Sequence, residues 1–117
     1  PVVVVDQIPA DHPSKEIGSA FVRRYEEKYG AGTFSSFAGH AHDVFRLLEA
    51  AVPVALKTAA PGTAEFRLAL RDALETNKEV VGAHGVYNMS AEDHFGLDTR
   101  GRVLVRIENG GYSMIGQ

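Results

Sequence analysis

Hydrophobic positions along the chain fall into three regimes. It opens on an unbroken β-branched run, Val2-Val3-Val4-Val5, bounded by Asp6 and then Pro9. Such a run predicts a strand buried on both faces, as in a parallel sheet. From Ser14 the period lengthens: Ile17, Phe21 and Tyr25 recur every fourth residue, joined by Ala20, while Arg23, Arg24, Glu26, Glu27 and Lys28 take the other side. That spacing predicts a helix over Ser14–Tyr29. Asp11 or Ser14 can accept from the orphan amides at its start, with Pro13 favouring the first turn. Gly30 stops it, because glycine enters the left-handed conformation without penalty.

A second helix begins near Ser35 or Ser36 and runs through Ala41, Val44, Leu47, Leu48 and Ala51. Its first turns are small (Ala38, Gly39, Ala41), which predicts close packing against another element. Pro53 lacks a backbone donor, so this helix kinks or ends there. Ala59-Ala60-Pro61-Gly62 reads as a turn. Thr63 then caps a third helix, whose stripe is Phe66, Leu70, Ala73 and Leu74, up to about Glu75.

From Val80 the period changes again, to strands over Val86–Met89 and Val103–Ile107. Asp98-Thr99-Arg100-Gly101 is a turn signal. Asn109-Gly110-Gly111 predicts a hairpin leading into a last strand, Tyr112–Ile115. The pattern is α/β, with three helices, a short sheet and a C-terminal hairpin, and no internal repeat.

Composition narrows the function. The 117 residues fit one domain, and 44% apolar against 23% charged residues is the balance of a globular chain. Twelve basic residues are interleaved with fifteen acidic ones, which disfavours nucleic acid as a partner. The absence of cysteine excludes disulfides, thiolate metal sites and a thiol nucleophile. The opening valine run is too short to cross a bilayer and lacks the basic flank of a secretory signal. A chain opening at Pro1 on the edge of such a run reads as a segment cut from something longer.

Catalytic chemistry finds little footing. His40 and His42 lie two apart on a helix, so they diverge, whereas a zinc pair needs a spacing of three or four. Asp93-His94 with Asp98 offers oxygen and nitrogen ligands in one loop, but a hydrogen-bonded loop explains them better; we assign no metal and no cofactor. Ser14, Ser35 and Ser36 read as caps, and no serine stands in a Gly-x-Ser-x-Gly elbow. Gly82-Ala83-His84-Gly85 has neither the ending of a phosphate loop nor a following helix. Asn88-Met89-Ser90 matches a glycosylation sequon that also arises by chance. The expectation is a non-enzyme.

Phe37-Ala38-Gly39-His40 stands apart. An aromatic at a helix start, beside small residues and an imidazole, forms one wall of a small-molecule pocket. The alternative is that Phe37 packs into the core and His40 lies idle on the surface.

Three stretches in this order, Phe21–Gly30, Phe37-Ala38-Gly39-His40-Ala41-His42-Asp43 and Phe66–Glu75, resemble the C-terminal third of periplasmic solute-binding proteins of branched-chain amino acid type ABC transporters. The most specific stretch is Gly85-Val86-Tyr87-Asn88-Met89-Ser90-Ala91-Glu92-Asp93-His94-Phe95-Gly96-Leu97-Asp98. It is similar to the Gly-Val-(Tyr/Phe)-Asn-Met-Ser…Asp-His-x-Gly-Leu-Asp run of one branch of that family. The resemblance covers essentially the whole chain.

It implies the type I periplasmic binding protein fold, in which two α/β lobes joined by hinge strands close over a ligand. Residues 1–117 would then be a single segment, the C-terminal part of that domain. The implied function is substrate binding for an ABC transporter, with amino acids (branched-chain or other) or aromatic acids as ligand and a membrane permease as partner, in the periplasm. The alternative is the ligand-sensing extracellular domain of a signalling receptor.

The family holds the ligand's amino and carboxylate groups mainly with residues upstream of this segment. What carries over is Phe37, pressed against the ligand side chain, and His40 at the pocket edge, where the family often has Tyr or His. His42 departs from the more usual Tyr before Asp43, so no role is carried onto it. A lone segment would expose apolar helix faces and strand edges, which predicts a homodimer.

Overall fold

A computed structural model describes Pro1–Gly116. Helix α1 spans Ser14–Tyr29 and ends at Gly30 (φ 101°), whose amide donates to the Glu26 carbonyl. Its apolar stripe gathers Phe21, Tyr25 and, from the following loop, Phe34 into tilted and edge-on ring contacts. The start differs from expectation, because neither Asp11 nor Ser14 caps it. His12 does: its Nδ1 accepts from the Ser14 amide at 3.1 Å.

Helix α2 spans Ser36–Ala55, and the Ser35 hydroxyl accepts from the Ala38 amide at 3.4 Å. Pro53 falls in its last turn, where the helix ends two residues later. Helix α3, Ala64–Glu75, is capped by Thr63, which accepts from the Phe66 amide at 3.1 Å. It packs alongside α2, burying Ala73 but leaving Phe66, Leu70 and Leu74 half-buried.

Two small antiparallel sheets follow. Strands β1 (Val80–Val81) and β2 (Val86–Tyr87) pair Val80 with Tyr87 and Val81 with Val86. The Gly82 amide closes the intervening turn on the Gly85 carbonyl at 2.8 Å. Strands β3 (Val105–Glu108) and β4 (Gly111–Met114) form the C-terminal hairpin. Its turn residues, Asn109 and Gly110, both have positive φ (52° and 78°), the type I′ geometry that Asn-Gly favours.

The opening valines correct the expected strand. Val2–Val4 form a 3₁₀ turn, with Val4 N–H donating to the Pro1 carbonyl and Gln7 N–H to the Val4 carbonyl. A strand needs a neighbour for its amides. Among the described residues none pairs with this run, since β1 and β2 pair with each other, so the backbone bonds to itself and no parallel sheet forms. The burial expected of the run holds for Val2, Val4 and Val5, while Val3 is exposed. Val4, Val5 and Ile8 are a core cluster, with Val22, Val103, Val105 and Met114 packed against it.

The molecule is elongated, 52 × 31 × 22 Å, with a radius of gyration of 16.2 Å. A compact domain of this length has about 13 Å. The helices therefore spread along a surface more than they close around a centre.

Candidate functional site

The buried face of α2 is unusual. It consists of Gly39, Asp43, Ala51 and Ala55, so a carboxylate stands where a large apolar side chain would be expected. Asp43 is 1% exposed. Its Oδ1 accepts from the Ala83 amide at 2.6 Å and its Oδ2 from the His84 amide at 2.8 Å. The Tyr87 hydroxyl donates to Oδ2 at 2.9 Å, and His42 Nδ1 lies 3.1 Å from Oδ1. A buried ion costs several kcal/mol unless its lone pairs are met, and here four donors meet them. The result fastens α2 to the β1–β2 turn. Gly82 permits the approach, since a Cβ there would sit 2.5 Å from the carboxyl carbon.

That turn delivers His84 to the start of α2. The ring is buried, its Nε2 donates to the Ser36 carbonyl at 3.0 Å, and it lies flat against His40, with centroids 3.8 Å apart and planes 3° from parallel. Gly39 makes room, because a Cβ there would meet His84 Nε2 at 2.7 Å. Burial pushes the His84 imidazole below its ordinary pKa; the Ser36 bond opposes this and the neighbouring His40 charge adds to it. Burial and then Asp43 push the Tyr87 phenol well above its ordinary value.

Phe37 and His40 thus share the outer side of α2's first turns. Phe37 is 83% exposed, so it is not a core residue, and His40 is exposed with its inner ring face on His84. Ala41, Val44 and Phe45 continue this apolar surface along the helix. His42 turns away from His40, as the spacing predicts, and packs tilted against Phe21, with ring centroids 4.7 Å apart.

The remaining candidates are spent on local structure. Asp93 accepts from the Phe95 and Gly96 amides, His94 Nε2 meets Glu75, and Asp98 pairs with Arg100. Arg100 also pairs with Glu79, and these bonds hold the Asp98 and Glu79 carboxyls below their usual range. The Asn88 amide is engaged on both sides by Glu79. Among the described residues no group of three or more His, Cys, Asp or Glu is placed to hold a metal ion. No helix there is long and apolar enough to cross a membrane.

Sequence reasoning missed Asp43, Tyr87 and His84 as a unit. The available signal was an acidic residue four after Gly39 on the helix face expected to be buried, with a short Gly-x-x-Gly turn to receive it.

The fold has close relatives among solved structures. An extracellular ligand-binding receptor from Rhodopseudomonas palustris superposes with a TM-score of 0.91 at 46% identity, over 99% of this chain and 32% of that one. A receptor of the same description from strain HaA2 gives 0.91 at 43%, with the same coverage. A further HaA2 receptor gives 0.84 at 35%, over 97% of this chain and 32% of its own. This chain has the fold of the C-terminal portion of an extracellular ligand-binding receptor. It spans about a third of those receptors' length. No protein-family model matches it, and no curated protein sequence does.

Proposed function

We propose that this chain is part of a solute-binding receptor in the periplasm that hands a small molecule to the membrane permease of an ABC transporter. The ligand class is an amino acid, branched-chain or other, or an aromatic carboxylate. The observation carrying this reading is the 46% identity over 99% of the chain to an extracellular ligand-binding receptor. The site is consistent with it. Phe37 offers an exposed aromatic face of the kind that lines ligand pockets, and His40 stands one helical turn along with its plane fixed by a stack. Alone, the chain would cover its exposed apolar positions on α2 with a second copy, as a homodimer.

The test is thermal-shift screening of the full-length receptor against leucine, isoleucine, valine and benzoate. A ligand present at a hundred times its Kd adds about 2.7 kcal/mol, which raises the melting temperature by about 5 °C. The Phe37→Ala receptor should need roughly tenfold more of the same ligand for that shift. No shift with any of the four compounds would overturn the ligand class.

A further inference from the structure

His84 never reaches the exposed surface of α2, yet everything about its placement acts on a residue that does. Its amide is fixed by Asp43 at 2.8 Å and its Nε2–H by the Ser36 carbonyl at 3.0 Å. Both ends of the residue are therefore tied to α2 itself. The ring that results is a flat platform 3.8 Å below His40, within 3° of parallel. Gly39 is the condition for it, since any side chain there would strike the ring. His40 makes no side-chain hydrogen bond among the described residues, so the stack is what holds its plane.

An exposed side chain on a helix samples several rotamers, and ordering one on binding costs affinity. A side chain already held flat has met that cost beforehand. We propose that His84 is a positioning residue for the ligand wall, presenting the edge of His40, beside Phe37, in one orientation to a planar or carboxylate-bearing solute. This rests on the reading of the chain as a ligand receptor with Phe37 and His40 at its pocket. It adds that the specificity of that wall is set from behind, by a residue that does not touch the ligand. Asp43 belongs to the same device, because it places the turn carrying His84.

The test uses the full-length receptor with His84→Ala and His84→Phe. Phenylalanine keeps a flat ring in the platform, whereas alanine removes it. The first readout needs no ligand: the His40 Cε1–H resonance at pH 7.5, which lies in the ring current of residue 84. It should shift markedly in His84→Ala and stay close to wild type in His84→Phe.

The second readout is the affinity, by calorimetry, for whichever of leucine or benzoate the wild type binds. It should fall up to roughly tenfold in His84→Ala and recover most of that in His84→Phe. A purely structural role predicts that both variants lose melting temperature alike while affinity holds, and that result would overturn the proposal. An unmoved His40 resonance in His84→Ala would overturn it too. Should the wild type bind neither compound, the ligand class fails, while the resonance still decides whether residue 84 positions His40.

Discussion

The Asp43 hub and the C-terminal hairpin attach to the rest of the molecule by opposite means. The hub joins α2 to the β1–β2 turn through four hydrogen-bond partners converging on one buried carboxylate. The hairpin is regular in its own ladder, yet Leu104 and Ile107 are 76% and 74% exposed and Tyr112 is exposed as well. Its hold on the remainder is narrow: Val105 and Met114 against the Val4–Ile8 cluster, and a bracket from Gln7. Polar satisfaction makes the hub complete within this chain. Apolar exposure leaves the hairpin with little burial to hold it. The difference teaches where local cooperativity lies, because a region opens according to how much it buries and bonds.

Removing the hub's acceptor should have the largest effect. In Asp43→Ala the Ala83 and His84 amides and the Tyr87 hydroxyl lose their common partner inside the protein. Each unmet buried donor costs about 1–3 kcal/mol, so a loss of about 3 kcal/mol or more is expected in urea unfolding of the receptor. Asp43→Asn retains one acceptor oxygen and should lose less. The loss should be accompanied by fast amide exchange at residues 82–85, with residues 105–114 little changed. Equal acceleration in both regions would mean that the hub and the hairpin unfold as one unit.

The same contrast explains what the sequence made legible. The helices were readable because their signals are local: Ser35 and Thr63 as caps, Gly30 as a stop, and stripes every third or fourth position, although the cap of α1 and the end of α2 beyond Pro53 were not. The Asn109-Gly110 turn was readable for the same reason, whereas Phe37 was left open between pocket wall and core until the structure placed it 83% exposed. The valine run was not, since strand formation depends on a neighbour that only the tertiary structure supplies or withholds. Burial of Val2, Val4 and Val5 survived the change of conformation because hydrophobicity, unlike pairing, belongs to the residues themselves. The hub was only half legible. The position of Asp43 on the helix face expected to be buried was a local signal, but Asp43 and His84 are 41 residues apart, and no period names the distant turn whose amides it receives.

Acidification should loosen the hub by a smaller amount, through His84. Its folded-state pKa is lowered, chiefly by burial, so the unfolded chain takes up a proton first as the pH falls. The stability it contributes is complete above the ordinary histidine value of about 6.5 and is lost progressively as pH falls from there toward the folded value. Tyr87 works in the opposite sense: its raised phenol pKa contributes stability that is lost as pH rises above about 10. Urea midpoints from pH 7.5 down to 5.0 should therefore decline more steeply in the wild type than in His84→Phe. Parallel curves would remove His84 as the titrating group.

The smallest effect should come from the hairpin's own tie. Gln7 Nε2 donates to the Tyr112 carbonyl at 3.0 Å, and its Oε1 accepts from the Met114 amide at 2.8 Å, so one exposed side chain clips the second half of β4. Exposed hydrogen bonds contribute about 0.5–1.5 kcal/mol each, and water replaces most of what Gln7→Ala removes. Global unfolding should shift by about 1 kcal/mol or less. The local result should be sharper: the Met114 amide, left facing solvent, exchanges faster, while the ladder amides between β3 and β4 keep their protection because their register does not involve Gln7. If the whole hairpin lost protection together, Gln7 would be holding its fold as well as its position. The Val105 and Met114 contacts with the valine cluster would then be too weak to seat the hairpin alone.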